Sequence, residues 1–358
     1  MARQYRIAVI GGDGIGPEVV REGLRVLERA ASMHGFRVSP TRYPFGAEHY
    51  LKTREIFPDA AFTEVRDHDA ILLGAIGDPR IEVGLLEFGI IAKLRFELDL
   101  FVNLRPVKLY AEHLCPLKDT RPEDVDFTVV RENTEDAYAG MRGFFKRGTP
   151  DEVATQEIIF TRKGVERAVR YAFELARKRG RAKKLTLIDK ANAVRAMDLW
   201  TRTFAEVGAE YPDITRDHQY IDAACMYLVR DPRQYDTVVT SNMFGDIFTD
   251  LAAMIQGGLG IAASGNIHPG QVSLFEPIHG SAPKYANQNV ANPIATIMAT
   301  SMMLEYLGEA RAARHIEDAV AGLVRSKRLP SLGTDSGMST MQIGDLVLEA
   351  LEKAGVPA

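Results

Sequence analysis

Asp246 and Asp250 stand four residues apart in NMFGDIFTDLAAMIQ, a spacing that projects both carboxylates from one face of a helix. No Lys or Arg separates them, so their repulsion weakens the helix in isolation. Two readings are open. Both can be solvated aspartates near a helix N-terminus, where the dipole favours them. Or they can hold a hard divalent cation such as Mg²⁺ or Mn²⁺, which takes carboxylate oxygens and keeps room for substrate. Asp222, in the apolar stretch YIDAACMYLV, needs a partner of its own, and that shifts the balance toward metal. Arg95 and Arg105 flank LRFELDLFVNLRP, and Arg131 opens RENTEDAYAG. A planar guanidinium suits a carboxylate because it donates two parallel hydrogen bonds, although a helix with surface arginines reads the same way. Lys190 follows the apolar run LTLID. Burial there lowers a lysine's pKa and makes it a usable base, against the plainer alternative of a snorkelling side chain. Tyr138 taken alone is a packing residue.

The elements that must position these groups follow from patterning. A buried strand is expected over 237–240, with a turn at Ser241-Asn242 and entry into a helix near Gly245. Tyr5 to Ile10 alternates as a strand and meets GGDGIGPEVV, where Gly12, Gly14 and Gly16 fall at every second residue. A dinucleotide fingerprint needs GxGxxG, so a standard Rossmann site is disfavoured. A phosphate-binding module built on this loop fails for the same reason. Pro17 with Val19, Val20, Leu24 and Leu27 predicts an amphipathic helix ending near Gly35. Further strands are expected at 69–74, 125–130, 184–188 and 272–275, with a helix at 165–178. GGLGIAASGNI reads as a domain crossing, two or three helices follow, and the C-terminal segment is an amphipathic helix. Alternation of strands and helices makes the class α/β.

The whole chain bounds the answer further. With 358 residues it can bury one large or two modest cores. Its 44 Lys plus Arg against 48 Asp plus Glu argue against nucleic acid or a membrane surface as partner. Two distant cysteines, Cys115 and Cys225, fit a reducing compartment and no disulfide framework. The apolar part of MARQYRIAVIGG is too short for a signal peptide, and VANPIATIMATSMMLEYLG reads as a core helix, not a span. A cytoplasmic protein is expected.

The segments IDAACMYLVRDP, NMFGDIFTD, DKAN and HGSAP, taken together, resemble the β-decarboxylating dehydrogenases from about Tyr5 to Gly308. The resemblance implies a two-domain fold of the isopropylmalate/isocitrate dehydrogenase type. Its first domain would be discontinuous, 1–104 with 258–358, and its second would be 105–257 with a clasp arm near 141–163. It implies a homodimer whose sites borrow residues across subunits, with Lys190 on a lent segment. Asp222, Asp246 and Asp250 would hold Mg²⁺ or Mn²⁺, with Asp222 also near substrate. Arg95, Arg105 and Arg131 would bind the carboxylates of a 2-hydroxy dicarboxylate. Lys190 would be the base and Tyr138 the proton donor. Glu87, Asn192, His279, Gly280, Ser281, Ala282, Pro283, Lys284, Tyr285 and Asn292 would contact the cofactor. A catalytically silent dimeric homologue would have lost Lys190, Tyr138 or an aspartate of the three, and none is lost.

The segment before Arg95 bears on the substrate. Where isocitrate enzymes place hydroxyl and amide groups, this chain has Gly89, Ile90 and Ile91. An apolar wall there leaves a third carboxylate desolvated and favours a branched alkyl group. The expected substrate is therefore 3-isopropylmalate, a leucine-biosynthesis intermediate. Tartrate or D-malate is the alternative, and Asn133 and Asp136 of RENTEDAYAG lean toward isocitrate. NAD is the expected cofactor. Lys284 and Tyr285 stand where many NAD-dependent members carry Asp, so NADP is not excluded.

Overall fold

Strands and helices are interleaved along the chain; the computed structural model describes residues 3–355. The chain begins with β1 (Gln4–Gly12), α1 (Gly16–His34), β2 (Arg37–Tyr43), α2 (Ala47–Thr53), α3 (Asp59–Arg66) and β3 (Ala70–Ala75). A π-helical turn, Glu87–Ala92, runs into α4 (Lys93–Glu97) and β4 (Val102–Lys108). After β5 (Asp126–Glu132) come a 3₁₀ turn at Asp136–Ala139 and the short strands β6 (Arg142–Phe145) and β7 (Val153–Gln156). Next are α5 (Arg162–Arg179), β8 (Lys184–Asp189), α6 (Asp198–Gly208), β9 (Thr215–Tyr220) and α7 (Ile221–Arg230). β10 (Thr237–Thr240) feeds α8 (Asn242–Ile255), followed by β11 (Ala263–Ile267), β12 (Leu274–Pro277), α9 (Ile294–Tyr306), α10 (Ala310–Arg325) and α11 (Thr340–Ala354).

The chain divides into two compact units. The first holds the residues up to Leu100, Lys108–Glu123 and the residues from Ala253 on; the second holds Phe101–Val107 and Asp124–Ala252. The sequence-based division put 108–123 in the second. They join the first because Tyr110 and Ala111 are buried with Ile261, Leu329 and Leu332 in its core. Gln256 also accepts a hydrogen bond from the Lys108 amide.

In the first unit the strands lie in the order β2-β1-β3-β12-β11. β1 runs parallel to β2 and β3, β12 parallel to β3, and β11 antiparallel to β12. β3 is buried along its whole length, as expected for a strand covered on both faces. The apolar run that reads as a core helix is α9, whose Ile294, Ile297, Met303 and Leu304 are fully buried among residues of α1 and α10. β11 is one of the elements that patterning misses. Its sequence ASGNI is small and polar, yet every residue is buried, because pairing with β12 satisfies its backbone.

In the second unit the order is β4-β5-β10-β8-β9, with β5, β10, β8 and β9 mutually parallel. α5 supplies Phe173, which stacks on Phe204 of α6 at 5.4 Å and on Tyr211 at 4.8 Å between ring centroids. β6 and β7 form a separate antiparallel ribbon whose Phe144 and Phe145 are exposed. That ribbon lies within the expected arm. Strand 237–240 is as expected, and α8 starts at Asn242, three residues before Gly245.

Candidate active site

β10 ends at Thr240 and α8 begins two residues later, so the helix carries Asp246 and Asp250 out from a buried strand end. Two arginines converge on them. Arg131, the sixth residue of β5, donates from Nη1 to Asp246 Oδ1 at 2.5 Å and from Nε to Asn242 Oδ1 at 3.0 Å. Arg105 of β4 donates to the same Asp246 oxygen at 3.2 Å and to Thr249 Oγ1 at 2.6 Å. Its Nε donates to Asn103 Oδ1 at 2.7 Å, and its Nη1 lies 3.7 Å from Asp250. Both guanidiniums are buried, while the two carboxylates retain exposure. Buried arginines held by so many acceptors are preorganised, and Asp246 occupies the fork that a substrate carboxylate would use.

Tyr138, on the 3₁₀ turn after β5, points its hydroxyl at Asp246 Oδ2, 3.3 Å away, and the Arg131 guanidinium lies 5.8 Å from its ring centre. Burial and the charge of Asp246 raise the phenol's pKa, with Arg131 opposing, so the hydroxyl keeps its proton at neutral pH. Burial and Asp246 likewise raise the pKa of Asp250. Arg105 and Arg131 oppose that shift, so burial and the neighbouring carboxylate outweigh the two cations at Asp250. Gly245 makes the arrangement possible: a Cβ there would lie 2.5 Å from Arg131 Cγ.

Lys190 and Asp222 form a second cluster. β8 delivers Lys190 at its end, α7 delivers Asp222 in its first turn, and the Lys190 ammonium sits 2.7 Å from the Asp222 carboxylate. This pairing holds Asp222 below the usual carboxylate range. Beside it, His218 of β9 lies 3.0 Å from buried Asp189, which raises the imidazole's pKa. Asn192 is exposed.

Of the three aspartates expected at a metal, two share a face within one chain. Asp246 and Asp250 offer hard oxygen donors at helical spacing, and Asp222 is bound to Lys190 instead. Among the described residues no group of three or more His, Cys, Asp or Glu side chains could hold a metal ion. The donor chemistry fits a divalent cation if a third carboxylate comes from outside the chain.

The remaining expected residues lie in the first unit. A cavity of about 300 Å³ is lined by Gly77, Asp78, Glu87, Gly280, Ser281 and Pro283, among others. The GGDGIG segment is the backbone clasp of the two loops that form it. Asp13 accepts from the Ala47 amide at 2.6 Å and from the Gly77 amide at 2.9 Å. Ile15 donates to the Ser281 carbonyl at 2.9 Å. At Gly14, with φ of +58°, a Cβ would fall 1.9 Å from that carbonyl oxygen. His279 Nδ1 lies 3.0 Å from the Gly280 carbonyl, so Nδ1 is the protonated nitrogen. The buried Nε2 is left as an acceptor with no protein partner, and burial lowers the ring's pKa. Asn292 gives its carbonyl to the Ile294 amide, capping α9, and its buried amide nitrogen lacks a protein partner. Ala282 sits in the left-handed region, φ +41°. Lys284 Nζ lies 4.6 Å from the Tyr285 ring centre, and this cation lowers the phenol's pKa. An open cavity with two unpartnered polar atoms on the loop beside it fits a dinucleotide.

Arg95, in the first unit, donates to Glu276 at 2.9 Å. The expected apolar wall is only partly available. Gly89 packs on Ile56, and Ile90 is fully buried in the core with Leu86 and Leu94. The π-helical winding turns Ile90 inward and leaves Ile91 with surface. Sequence reasoning did not single out Asn103, Thr249, Asn242 or Glu276. The first two carry a readable signal: Asn103 is two residues from Arg105 on one strand face, and Thr249 is three residues from Asp246 on one helix face.

Comparison with known proteins assigns the family. Residues 6–347 match the family described as isocitrate/isopropylmalate dehydrogenase. A 3-isopropylmalate dehydrogenase of Thermobifida fusca is 51% identical over 99% of this chain and 99% of the relative. One from Frankia casuarinae is 53% identical over 88% of this chain and 91% of the relative. Among solved structures, isocitrate dehydrogenase from Methylococcus capsulatus superposes with a TM-score of 0.88 at 38% identity, covering 97% and 99% of the two chains. The chain belongs to the isocitrate/isopropylmalate dehydrogenase family.

Proposed function

We propose that this chain oxidatively decarboxylates 3-isopropylmalate to 2-oxoisocaproate and CO₂ with NAD, a step of leucine biosynthesis. The observation that carries the reading is the convergence of Arg105, Arg131 and Tyr138 on the Asp246–Asp250 face. The relatives that are about half identical over nearly the full chain support the choice of substrate. NAD would supply the hydride acceptor for C2, and a divalent Mg²⁺ or Mn²⁺ would supply Lewis-acid stabilisation of negative charge on the substrate oxygens.

The chain's own groups do the rest. Arg105 and Arg131 exchange Asp246 for substrate carboxylates and fix their orientation, with Arg95 as a third cation. Lys190, as the neutral amine, takes the C2 hydroxyl proton as the C2–H bond breaks. The C3–carboxylate bond of the resulting β-keto acid then breaks with release of CO₂, and its electron pair passes into the enolate. Tyr138, protonated at neutral pH, gives its proton to C3. Asp246 and Asp250 would hold the divalent ion.

The active form is a homodimer. Asp222 and Lys190 form one half-site and Asp246, Asp250, Arg105, Arg131 and Tyr138 the other, and a second copy would complete each set. The exposed Phe144 and Phe145 of the β6–β7 ribbon, with Met226 and Val229 of α7, are apolar surface available to that copy. Cytoplasmic location fits two free cysteines. Among the described residues no helix is long and apolar enough to cross a membrane.

The test is NADH formation from 3-isopropylmalate, D-malate, tartrate and isocitrate. 3-Isopropylmalate should give the highest kcat/KM, excess chelator should abolish turnover, and Mn²⁺ should restore it. A higher kcat/KM for isocitrate or D-malate would reassign the substrate, and full activity in chelator would refute the metal.

A further inference from the structure

Asp136 belongs to RENTEDAYAG, and the assignment of function leaves it without a role. It is 1% exposed, an unusual fate for an aspartate with no basic side chain among its hydrogen-bond partners. Its φ is +73°, a region that Asp enters only when the surroundings hold it there. Those surroundings are backbone amides. Oδ1 accepts from the Ala137 amide at 2.8 Å, inside the turn that bears Tyr138. Oδ2 accepts from the Met243 amide at 2.9 Å, in the first turn of α8. The Asp136 amide donates to the Ile159 carbonyl at 2.9 Å, which fixes the residue from a third side.

One carboxylate thus spans two segments that are 107 positions apart in sequence. At the α8 end it occupies the place of a helix cap: it satisfies a first-turn amide and puts negative charge at the positive end of the helix. The neighbouring Asn242 repeats the link. Its side chain donates to the Glu135 carbonyl at 3.2 Å and accepts from Arg131 Nε at 3.0 Å. The turn that carries the phenol and the helix that carries Asp246 are therefore pinned to each other at their roots. At the tips, Tyr138 Oη stands 3.3 Å from Asp246 Oδ2.

We propose that Asp136 is a positioning residue for proton delivery: its carboxylate clamps the Tyr138 turn to the N-terminus of α8 and so sets where the phenol stands relative to Asp246 and Asp250. The proposal rests on Tyr138 being the proton donor. It also gives the isocitrate-like Asp136 a role that involves no contact with substrate. Asn at this position keeps the shape and one acceptor but presents an NH₂ group to the other amide, so one arm of the clamp opens.

Two measurements test it, one of them independent of turnover. The first is the position of the Tyr138 Cζ resonance at one fixed neutral pH in the metal-free protein, seen by NMR with tyrosine labelled at Cζ and assigned by loss of the signal in Y138F. In D136N it should move toward the position of a solvent-exposed tyrosine, as the phenol leaves Asp246. The second is steady-state kinetics with 3-isopropylmalate and NAD. D136N should lose about 10- to 100-fold in kcat, the cost of misplacing a reacting group by an ångström or less. KM for both substrates should change by no more than about threefold, because the arginines and the dinucleotide loops are untouched. D136N/Y138F should be no slower than Y138F, since a misplaced group and an absent one act on the same step. If D136N does not fold, D136G takes its place, because glycine adopts this φ without strain. A Tyr138 resonance unchanged in D136N, a loss carried by KM, or losses that multiply in the double variant would each overturn the proposal. If the wild type makes no NADH from any 2-hydroxy diacid, the assignment of function fails, and the resonance still decides whether the clamp exists.

Discussion

Gly14, Ile15, Gly77 and Ser281 of the first unit meet through peptide groups, with the Asp13 carboxylate reading two amides. Arg105, Arg131, Asp246 and Tyr138 of the second unit meet through the tips of long charged or phenolic side chains. A site built from main chain can be dismantled by one added methyl group and hardly notices a distant charge. A site built from charges tolerates small changes of volume and fails when one charge is removed, because its partners are left buried and unpaired. The two construction modes would suit the proposed tasks, since a dinucleotide presents many backbone-accessible atoms whereas an oxidation followed by decarboxylation needs movable protons and fixed cations.

The largest effect should come from the charged side. Lys190→Ala should lower kcat by about 10³-fold, within the range for loss of a general base, with little change in KM for NAD. Mixing it with inactive Tyr138→Phe should regenerate part of the activity by pairing intact half-sites. No recovery in verified heterodimers would count against sites shared between copies.

Gly245→Ala probes where the comparison breaks down, because here the charge-built site depends on an absent Cβ. Ala for Gly inside a helix ordinarily adds up to about 1 kcal/mol of stability. At this position the new Cβ would lie 2.5 Å from Arg131 Cγ, so the arginine must move. The expected result is a fall of about 10-fold or more in kcat/KM for the diacid, with no gain in Tm. A variant that is both more stable and fully active would show that Arg131 has slack.

On the main-chain side, Gly14→Ala forces a Cβ toward the Ser281 carbonyl at a φ that costs a non-glycine residue about 1 kcal/mol or more. KM for NAD should rise by about 10-fold and kcat should change least, in keeping with a clasp that holds the loops and takes no part in proton transfer. A loss confined to kcat would mean that the two units are less distinct in function than their construction suggests.

The smallest effect is a pH dependence. Asp189 raises the folded-state pKa of His218, so the pair stabilises the fold fully below the unfolded imidazole's value of about 6.5. That contribution is lost as pH rises through the raised folded value. The Tm difference between wild type and His218→Asn should be larger at about pH 5.5 than at about pH 9. Equal differences at both would remove the ion pair from the account of how the Lys190 strand end is held.

Much of this protein is legible without coordinates because its chemistry sits on local patterns. A spacing of four places Asp246 and Asp250 on one helix face wherever that helix lies. An apolar strand ending in Asp189-Lys190 delivers a lysine to a sheet end, and alternating Gly12, Gly14 and Gly16 exclude a standard dinucleotide loop. The tertiary structure decided what no local period encodes. It seated Asp222 on Lys190 and away from the other two aspartates, because α7 starts beside the end of β8 and α8 follows β10. It committed Ile90 to the core beside Leu86 and Leu94, where it forms no wall for a substrate. It buried the polar strand ASGNI, whose place depends on a partner strand and not on its own hydrophobicity. It drew 108–123 into the first unit through the burial of Tyr110 and Ala111. In each of these the deciding contact lies far away in sequence, and packing chooses among partners that local chemistry leaves equal.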